Sequence, residues 1–224
     1  MIRNAAGIGL ATGAYALSFG AISVAAGLSV VQTSALSLLM FTGASQFALV
    51  GILGGGGSPM AAAATAALLG TRNGLYGLRL ASLLDLRGPR RLLAAHLVID
   101  ESTAMAIGQD SAQAGRLGFW ATGASVFLLW NAGTLAGALA ARALSDPRSL
   151  GLDAAVPAAF LALLAPRLHR GEPAVVGVVA AIVALVSVPF VPAGVPVLVA
   201  GVAAVIGGAW GRRSDAGTAA TGAP

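Results

Sequence analysis

The chain has 224 residues, of which 57% are hydrophobic and only 9% charged, and its mean hydropathy is +0.87. A soluble domain carries about 25% charged residues, so this chain cannot cover a water-facing surface, and lipid is the solvent its composition fits. The formal charge of +5 comes from arginines set singly or in small groups between apolar stretches, as topology determinants are, and this sets nucleic-acid binding aside.

Every basic residue is Arg, which together with the many Ala and Gly residues points to a GC-rich genome. There is no Cys, which excludes disulfides, thiolate metal sites and cysteine catalysis. Met1-Ile2-Arg3-Asn4 leads straight into an apolar run without a convincing cleavage site. The run reads as a first transmembrane helix rather than a removed signal peptide.

Charges and prolines divide the chain into eight apolar segments. The first is Gly7–Gly27, uncharged and rich in small residues. The second, Ser34–Gly57, is interrupted at Gly43 and ends in four glycines. The third, Pro59–Leu84, contains Arg72 and Arg79. The fourth, Leu92–Gly108, carries His96, Asp100 and Glu101. The fifth is Leu117–Ala141, and the sixth, Leu152–Ala165, is short and broken by Pro157. The seventh is Pro173–Val188, the eighth Pro192–Trp210. The tail Gly211–Pro224 is small and polar, the composition of a disordered end.

The arginines then set a topology. Arg3 places the N-terminus inside, and Arg87, Arg90 and Arg91 place the loop after the third segment inside as well. Three full crossings contradict this, and a second segment that dips from outside and returns resolves it. Arg142 and Arg148 before the sixth segment, and Arg167 and Arg170 after it, demand a second dip from inside. Arg116 is then the one basic residue left outside.

The expected fold is an all-α polytopic membrane protein with about six transmembrane helices and two re-entrant segments. Its two halves, about 1–110 and 115–210 of a single domain 1–210, run in opposite directions, as in many secondary transporters. Ala11-Thr12-Gly13-Ala14 recurs as Ala121-Thr122-Gly123-Ala124, and Pro59 corresponds to Pro173.

Few groups in such a chain can carry chemistry. Arg72 lies 13 residues after Pro59, roughly 20 Å into its helix at ~1.5 Å per residue. Asp100 and Glu101 lie about as deep. A charge at the bilayer centre costs at least about 2.5–3.5 kcal/mol, so an Arg72–Asp100 or Arg72–Glu101 pair is expected. It reads either as a tie between two helices or as the seat of a zwitterion or a coupled proton. His96, four residues before Asp100, shares a helix face with it in this reading, as a proton relay or a packing residue. Arg79 reads as a snorkelling anchor.

The Gly43–Phe47 stretch is the expected turning point of the first dip. A half-helix starting there points free N–H groups at the midplane, a seat for a carboxylate. Gly43, Ala44, Ser45 and Gln46 are the candidate residues. Asp153 and Pro157 are their second-half equivalents, with Asp153 read mainly as a cap. Trp130 reads as packing, and Asn131 as a bond across helices. The four glycines Gly54–Gly57 lack the Gly-Lys-Ser/Thr ending of a phosphate loop, and no metal-ligand cluster or nucleophile–base spacing stands out. The chain is therefore not expected to be an enzyme or to hold a cofactor.

Thr42-Gly43-Ala44-Ser45-Gln46-Phe47 resembles the Ala-Gly-Ala-Ser-Gln-Phe signature of the AzlC-type permease family, the large subunits of branched-chain amino-acid exporters. Arg72-Asn73-Gly74-Leu75-Tyr76-Gly77, Asp100-Glu101-Ser102-Thr103 and Gly151–Phe160 are similar to further stretches of that family in the same order. Gly70 and Asn73 depart from its pattern, where Asn precedes the arginine and His or Tyr follows it.

The resemblance implies a secondary transporter exporting branched-chain or other small apolar amino acids, coupled to protons and assisted by a small hydrophobic AzlD-type subunit. The arginines, from Arg3 to Arg212 and Arg213, read as those of a multi-pass protein of the bacterial cytoplasmic membrane with both termini cytoplasmic. The resemblance also makes Asn73 a candidate substrate contact beside Arg72, and Asp100, Glu101 and His96 candidate coupling groups. A passive channel and a non-transporting membrane scaffold are the alternatives.

Overall fold

The computed structural model describes residues 1–143, 165 and 171–205, and all described elements are helices. In chain order they are α1 (Ile2–Ala25), α2 (Val30–Leu39), α3 (Ala44–Gly54), α4 (Pro59–Leu84), α5 (Pro89–His96), α6 (Asp100–Ile107), α7 (Ala112–Ala143), α8 (Gly171–Ser187) and α9 (Val195–Val205). The sixth apolar segment, with Asp153 and Pro157, lies outside the described residues apart from Ala165, and so does the tail.

Helices α1 and α7 have the length and hydropathy of membrane spans. Their 24 and 32 residues reach roughly 36 and 48 Å at ~1.5 Å per residue, enough to cross a core of about 30 Å. Large apolar side chains such as Leu10, Leu128, Leu135 and Leu139 face outward on them, as they do when the surrounding solvent is lipid.

The two helices pack with almost nothing between their backbones. Gly9-Leu10-Ala11-Thr12-Gly13 and Gly133-Thr134-Leu135-Ala136-Gly137 both place small residues four apart, the spacing that lets membrane helices approach closely. A Cβ at Gly13 would stand 2.9 Å from the Leu129 carbonyl oxygen. One at Gly133 would collide with the Gly13 carbonyl, and one at Gly137 with that of Leu17. These contacts advance together along both helices, so α1 and α7 run parallel.

This corrects the expected halves, which would set the two helices in opposite directions. The reason is the fourth segment. It is not a continuous span but two short helices, α5 and α6, broken at Leu97–Ile99. Helix α6 descends antiparallel along α7, with Met105 against Gly118 and Ala106 against Gly115. Helix α7 then starts where α4 ends, with Leu83 beside Gly115. The chain therefore leaves and returns at one end.

The second segment breaks as expected. Helices α2 and α3 are separated by Met40–Gly43, and Gly54 comes back to within reach of Ala26 at the end of α1. The result is two broken hairpins entering from opposite ends, hairpin one (α2–α3) and hairpin two (α5–α6). Helices α1 and α4 flank hairpin one, and α4 and α7 flank hairpin two. Helix α9 runs parallel to α4, with Gly194 against Ala61 and Gly201 against Leu68.

The same arrangement relocates Arg116. It stands at the end that holds Arg3 and the Arg87–Arg91 stretch, its Nε donating to the Leu83 carbonyl at 2.8 Å, while Arg142, expected at that end, stands in the last turn of α7 at the opposite one. Local signals set the helix ends. Ser29 and Gln32 form a capping box for α2, and Ser58 with Pro59 starts α4. Asp85 in the left-handed region ends α4, and Gly88 followed by Pro89 opens α5.

Candidate functional site

The tips of the two hairpins meet midway along α1 and α7. Phe41 of hairpin one faces His96 of hairpin two at a ring separation of 6.0 Å, and both rings lie against Phe127 of α7. Beside this meeting point is a cavity of about 320 Å³.

Each wall of the cavity comes from a different element. Helix α1 contributes Ala11, Thr12 and Tyr15, and α7 contributes Val126 and Trp130. Hairpin one contributes Phe41, Thr42, Gly43, Ala44 and Phe47. Hairpin two contributes Ile99, Asp100 and Glu101, and α4 contributes Arg72. Tyr15, Phe47 and Trp130 pack ring to ring, Tyr15 and Phe47 at 4.8 Å and Tyr15 and Trp130 at 6.0 Å, giving one apolar aromatic wall. Arg72, Asp100 and Glu101 make the lining charged on the other side.

Hairpin one turns on Gly43, at φ 64° and ψ −90°, a conformation that a side chain strains. Its N–H donates to Gln46 Oε1 at 3.0 Å, while Gln46 Nε2 donates to the Leu36 carbonyl at 3.3 Å. Gln46 is thus fully buried and spent on holding α2 to α3. No acidic residue lies in the first turn of α3, so its positive end, with Gly43 and Ala44 on the cavity wall, is uncompensated from within.

Hairpin two turns on Ile99, in extended backbone at φ −132°. Ser102 Oγ accepts the Ile99 N–H at 3.1 Å and donates to the Leu97 carbonyl at 2.6 Å. Helix α6 carries Asp100 and Glu101 in its first turn, so this second positive end brings its own carboxyl groups.

Arg72 stands between them. Its Nη2 lies 3.0 Å from Asp100 Oδ2 and donates to the Thr42 carbonyl at 3.3 Å. The expected Arg72–Asp100 pair is present, but it is joined at one point only. Arg72 Nε and Asp100 Oδ1 are both buried without a hydrogen-bond partner among the described residues. A side-on guanidinium–carboxylate pair closes two parallel bonds, and here the second is not made.

Of the expected site residues, Gly43, Ala44, Arg72, Asp100 and Glu101 line this cavity and Ser45, Gln46 and Asn73 are not among its lining residues. Ser45 is buried beside it, with an Oγ that has no partner among the described residues. A Cβ at Gly70 would stand 3.6 Å from that oxygen, so residue 70 faces hairpin one. His96 does not share a helix face with Asp100, because the chain breaks between them, and its ring packs against Phe41 and Phe127. Asn131 bonds within its own helix, Nδ2 to the Phe127 carbonyl at 2.8 Å. Pro157 lies outside the described residues.

Sequence reading missed Tyr15, Phe47 and Trp130 as walls of the site. The available signal was aromatic residues on segments that also carry glycine, in a chain with just 5% aromatics.

No curated protein and no solved structure matches the chain. The family comparison does: residues 7–144, which contain both hairpins and every described wall of the cavity, match the family described as AzlC protein. The chain belongs to the AzlC family of membrane transporters.

Proposed function

We propose that this protein exports branched-chain or other small apolar amino acids across the bacterial cytoplasmic membrane, and that the cavity between the hairpins is its substrate site. The observation that carries the reading is the half-made Arg72–Asp100 pair. It leaves one buried N–H donor and one buried carboxylate oxygen unpartnered on two residues that line the cavity. An α-amino acid carries the complement of both, a carboxylate for Arg72 Nε and an ammonium for Asp100 Oδ1. The bare end of α3 adds N–H groups on the carboxylate side. The Tyr15, Phe47 and Trp130 wall then takes an apolar side chain, and a cavity of about 320 Å³ holds one such molecule.

In this reading Arg3, Arg87, Arg90, Arg91 and Arg116 mark the cytoplasmic end, Arg142 at the far end of α7 lies outside, and both termini are cytoplasmic. Hairpin one dips from outside and hairpin two from inside. Glu101 or Asp100, protonated from outside, couples export to the proton gradient, and an AzlD-type subunit works with the chain.

The test is efflux of labelled valine, leucine, isoleucine and methionine from cells carrying the chain with and without an AzlD-type subunit. Saturable, gradient-dependent efflux is expected with the subunit. Flux that neither saturates nor responds to the gradient would make the protein a passive channel instead.

A further inference from the structure

We infer that Arg72 is a clasp joining the two hairpins and that the carboxylate of the substrate opens it. The inference rests on the reading above that the cavity takes an amino acid. Arg72 stands on α4, which belongs to neither hairpin. Its Nη2 holds the turn of hairpin one through the Thr42 carbonyl, 3.3 Å away, and the first residue of α6 through Asp100 Oδ2, 3.0 Å away. One nitrogen thus ties two elements that enter from opposite ends. Beside this tie the Phe41 and His96 rings of the two tips also meet. Hairpin one otherwise packs mainly on α1, α4 and α7, and hairpin two on α4 and α7.

A carboxylate is a stronger acceptor for a guanidinium than a neutral carbonyl is. It binds best side-on, through two parallel N–H groups of the rigid fork. The unpartnered Nε supplies one. The other is on Nη2, the nitrogen that holds Thr42 and Asp100. A carboxylate gripped by both takes one of the two Nη2 hydrogens, so Arg72 can no longer hold both hairpins. Asp100, released, is not left as a lone charge in the membrane, because the ammonium of the same ligand takes its place. An empty site has no such replacement and stays shut, since a separated Arg72 and Asp100 would each bear the cost of an unpaired intramembrane charge. A ligand without a carboxylate cannot open it.

The chain has no cysteine, so two introduced ones report without background. Spin labels on Met40→Cys in hairpin one and Ala95→Cys in hairpin two, with the full chain in lipid nanodiscs, read the distance between the hairpins. L-leucine is expected to shift or broaden that distance, and L-leucinamide, which keeps the ammonium but lacks the carboxylate, to leave it unchanged. Arg72→Gln is expected to show the shifted distribution with no ligand. Arg72→Lys, which keeps the charge but not the fork, is expected to lose the response to leucine, and it serves where Arg72→Gln does not fold.

A distance that leucine leaves unchanged, in a doubly labelled protein that still exports labelled leucine, overturns the clasp while the transport reading stands. An equal response to leucinamide also overturns it. Absence of amino-acid efflux from the unaltered protein removes the reading beneath it, and the clasp with it.

Discussion

Hairpin one turns on a glycine in left-handed backbone, hairpin two on an isoleucine in extended backbone. In both, the residue three positions on hands its side chain back, Gln46 to the Gly43 N–H and Ser102 to the Ile99 N–H, and each also donates to a carbonyl earlier in its hairpin, Leu36 and Leu97. The geometry is shared and the electrostatics are opposite. Helix α3 presents a bare positive end, while α6 carries two carboxyl groups. At a water-exposed helix end that difference is worth about 0.3–1 kcal/mol, and away from water it weighs more. The site is thus polar across the hairpins, with N–H donors on one side, carboxylate on the other and Arg72 between. In the proposed reading the anionic end of a ligand belongs to hairpin one and its cationic end to hairpin two.

The largest test of that polarity removes its centre. Arg72→Gln or Asp100→Asn alone strands a charge costing about 2.5–3.5 kcal/mol in the membrane. At about 1.4 kcal/mol per factor of ten, leucine efflux is expected to fall by roughly two orders of magnitude. The double variant Arg72→Gln/Asp100→Asn removes both charges. It is expected to recover expression and thermal stability in detergent, but not efflux. Recovery of efflux as well would make the pair a structural tie and leave the substrate site without its anchor.

Glu101 sharpens the cationic side. Both carboxyl groups of α6 line the cavity, but the ion pair is made by Asp100. Glu101→Gln is therefore expected to keep leucine exchange across vesicles while losing most of its dependence on the proton gradient, and Asp100→Asn to lose both. Full pH-dependent efflux in both variants would remove proton coupling from this pair.

The backbone contrast predicts a smaller effect. A Cβ at Gly43 meets nothing within 4 Å, so Gly43→Ala isolates the conformational cost of its positive φ and negative ψ, about 1–3 kcal/mol for a non-glycine residue in a sparsely populated backbone region. The matching replacement of the buried Ile99 by Val removes one methylene and costs about 0.5–1.5 kcal/mol, with no backbone term. Thermal unfolding of the two variants in detergent compares them directly, and equal losses would mean that the turns are equally permissive.

Hairpin one was legible in the sequence because two independent signals agreed on it, the interruption at Gly43 and the count of crossings that the arginines demand. Hairpin two carries no glycine or proline at its break. Its signal is local chemistry, the β-branched Val98-Ile99 followed by Asp100-Glu101-Ser102, which disfavours continuing one helix and suits starting another. Read as a plain span, the fourth segment left Arg116 stranded and reversed α7 relative to α1. Breaking it frees Arg116 but strands Arg142 at the far end of α7 instead, so the arginines alone do not decide between the two. The parallel packing of α1 and α7 was half legible. Both glycine spacings can be seen in the chain, but nothing local says that each is the other's partner. The ion pair followed from the cost of burying charge. Its incompleteness did not, since that depends on angles fixed by three separate elements.

The smallest effect expected is at His96. Were it a relay to Asp100, both would need to lie on one helix face, and the break at Leu97–Ile99 removes that register. The ring instead joins the hairpin tips, 6.0 Å from Phe41 and 5.6 Å from Phe127. An aromatic ring of similar size preserves that contact and cannot carry a proton. His96→Phe is therefore expected to leave both the rate and the pH profile of leucine efflux close to those of the unaltered protein, whereas His96→Ala, which opens the tip contact, lowers the rate without moving the profile. A profile displaced in His96→Phe would return the histidine to the coupling path. It would also mean that hairpin two supplies three titrating groups to the site rather than two.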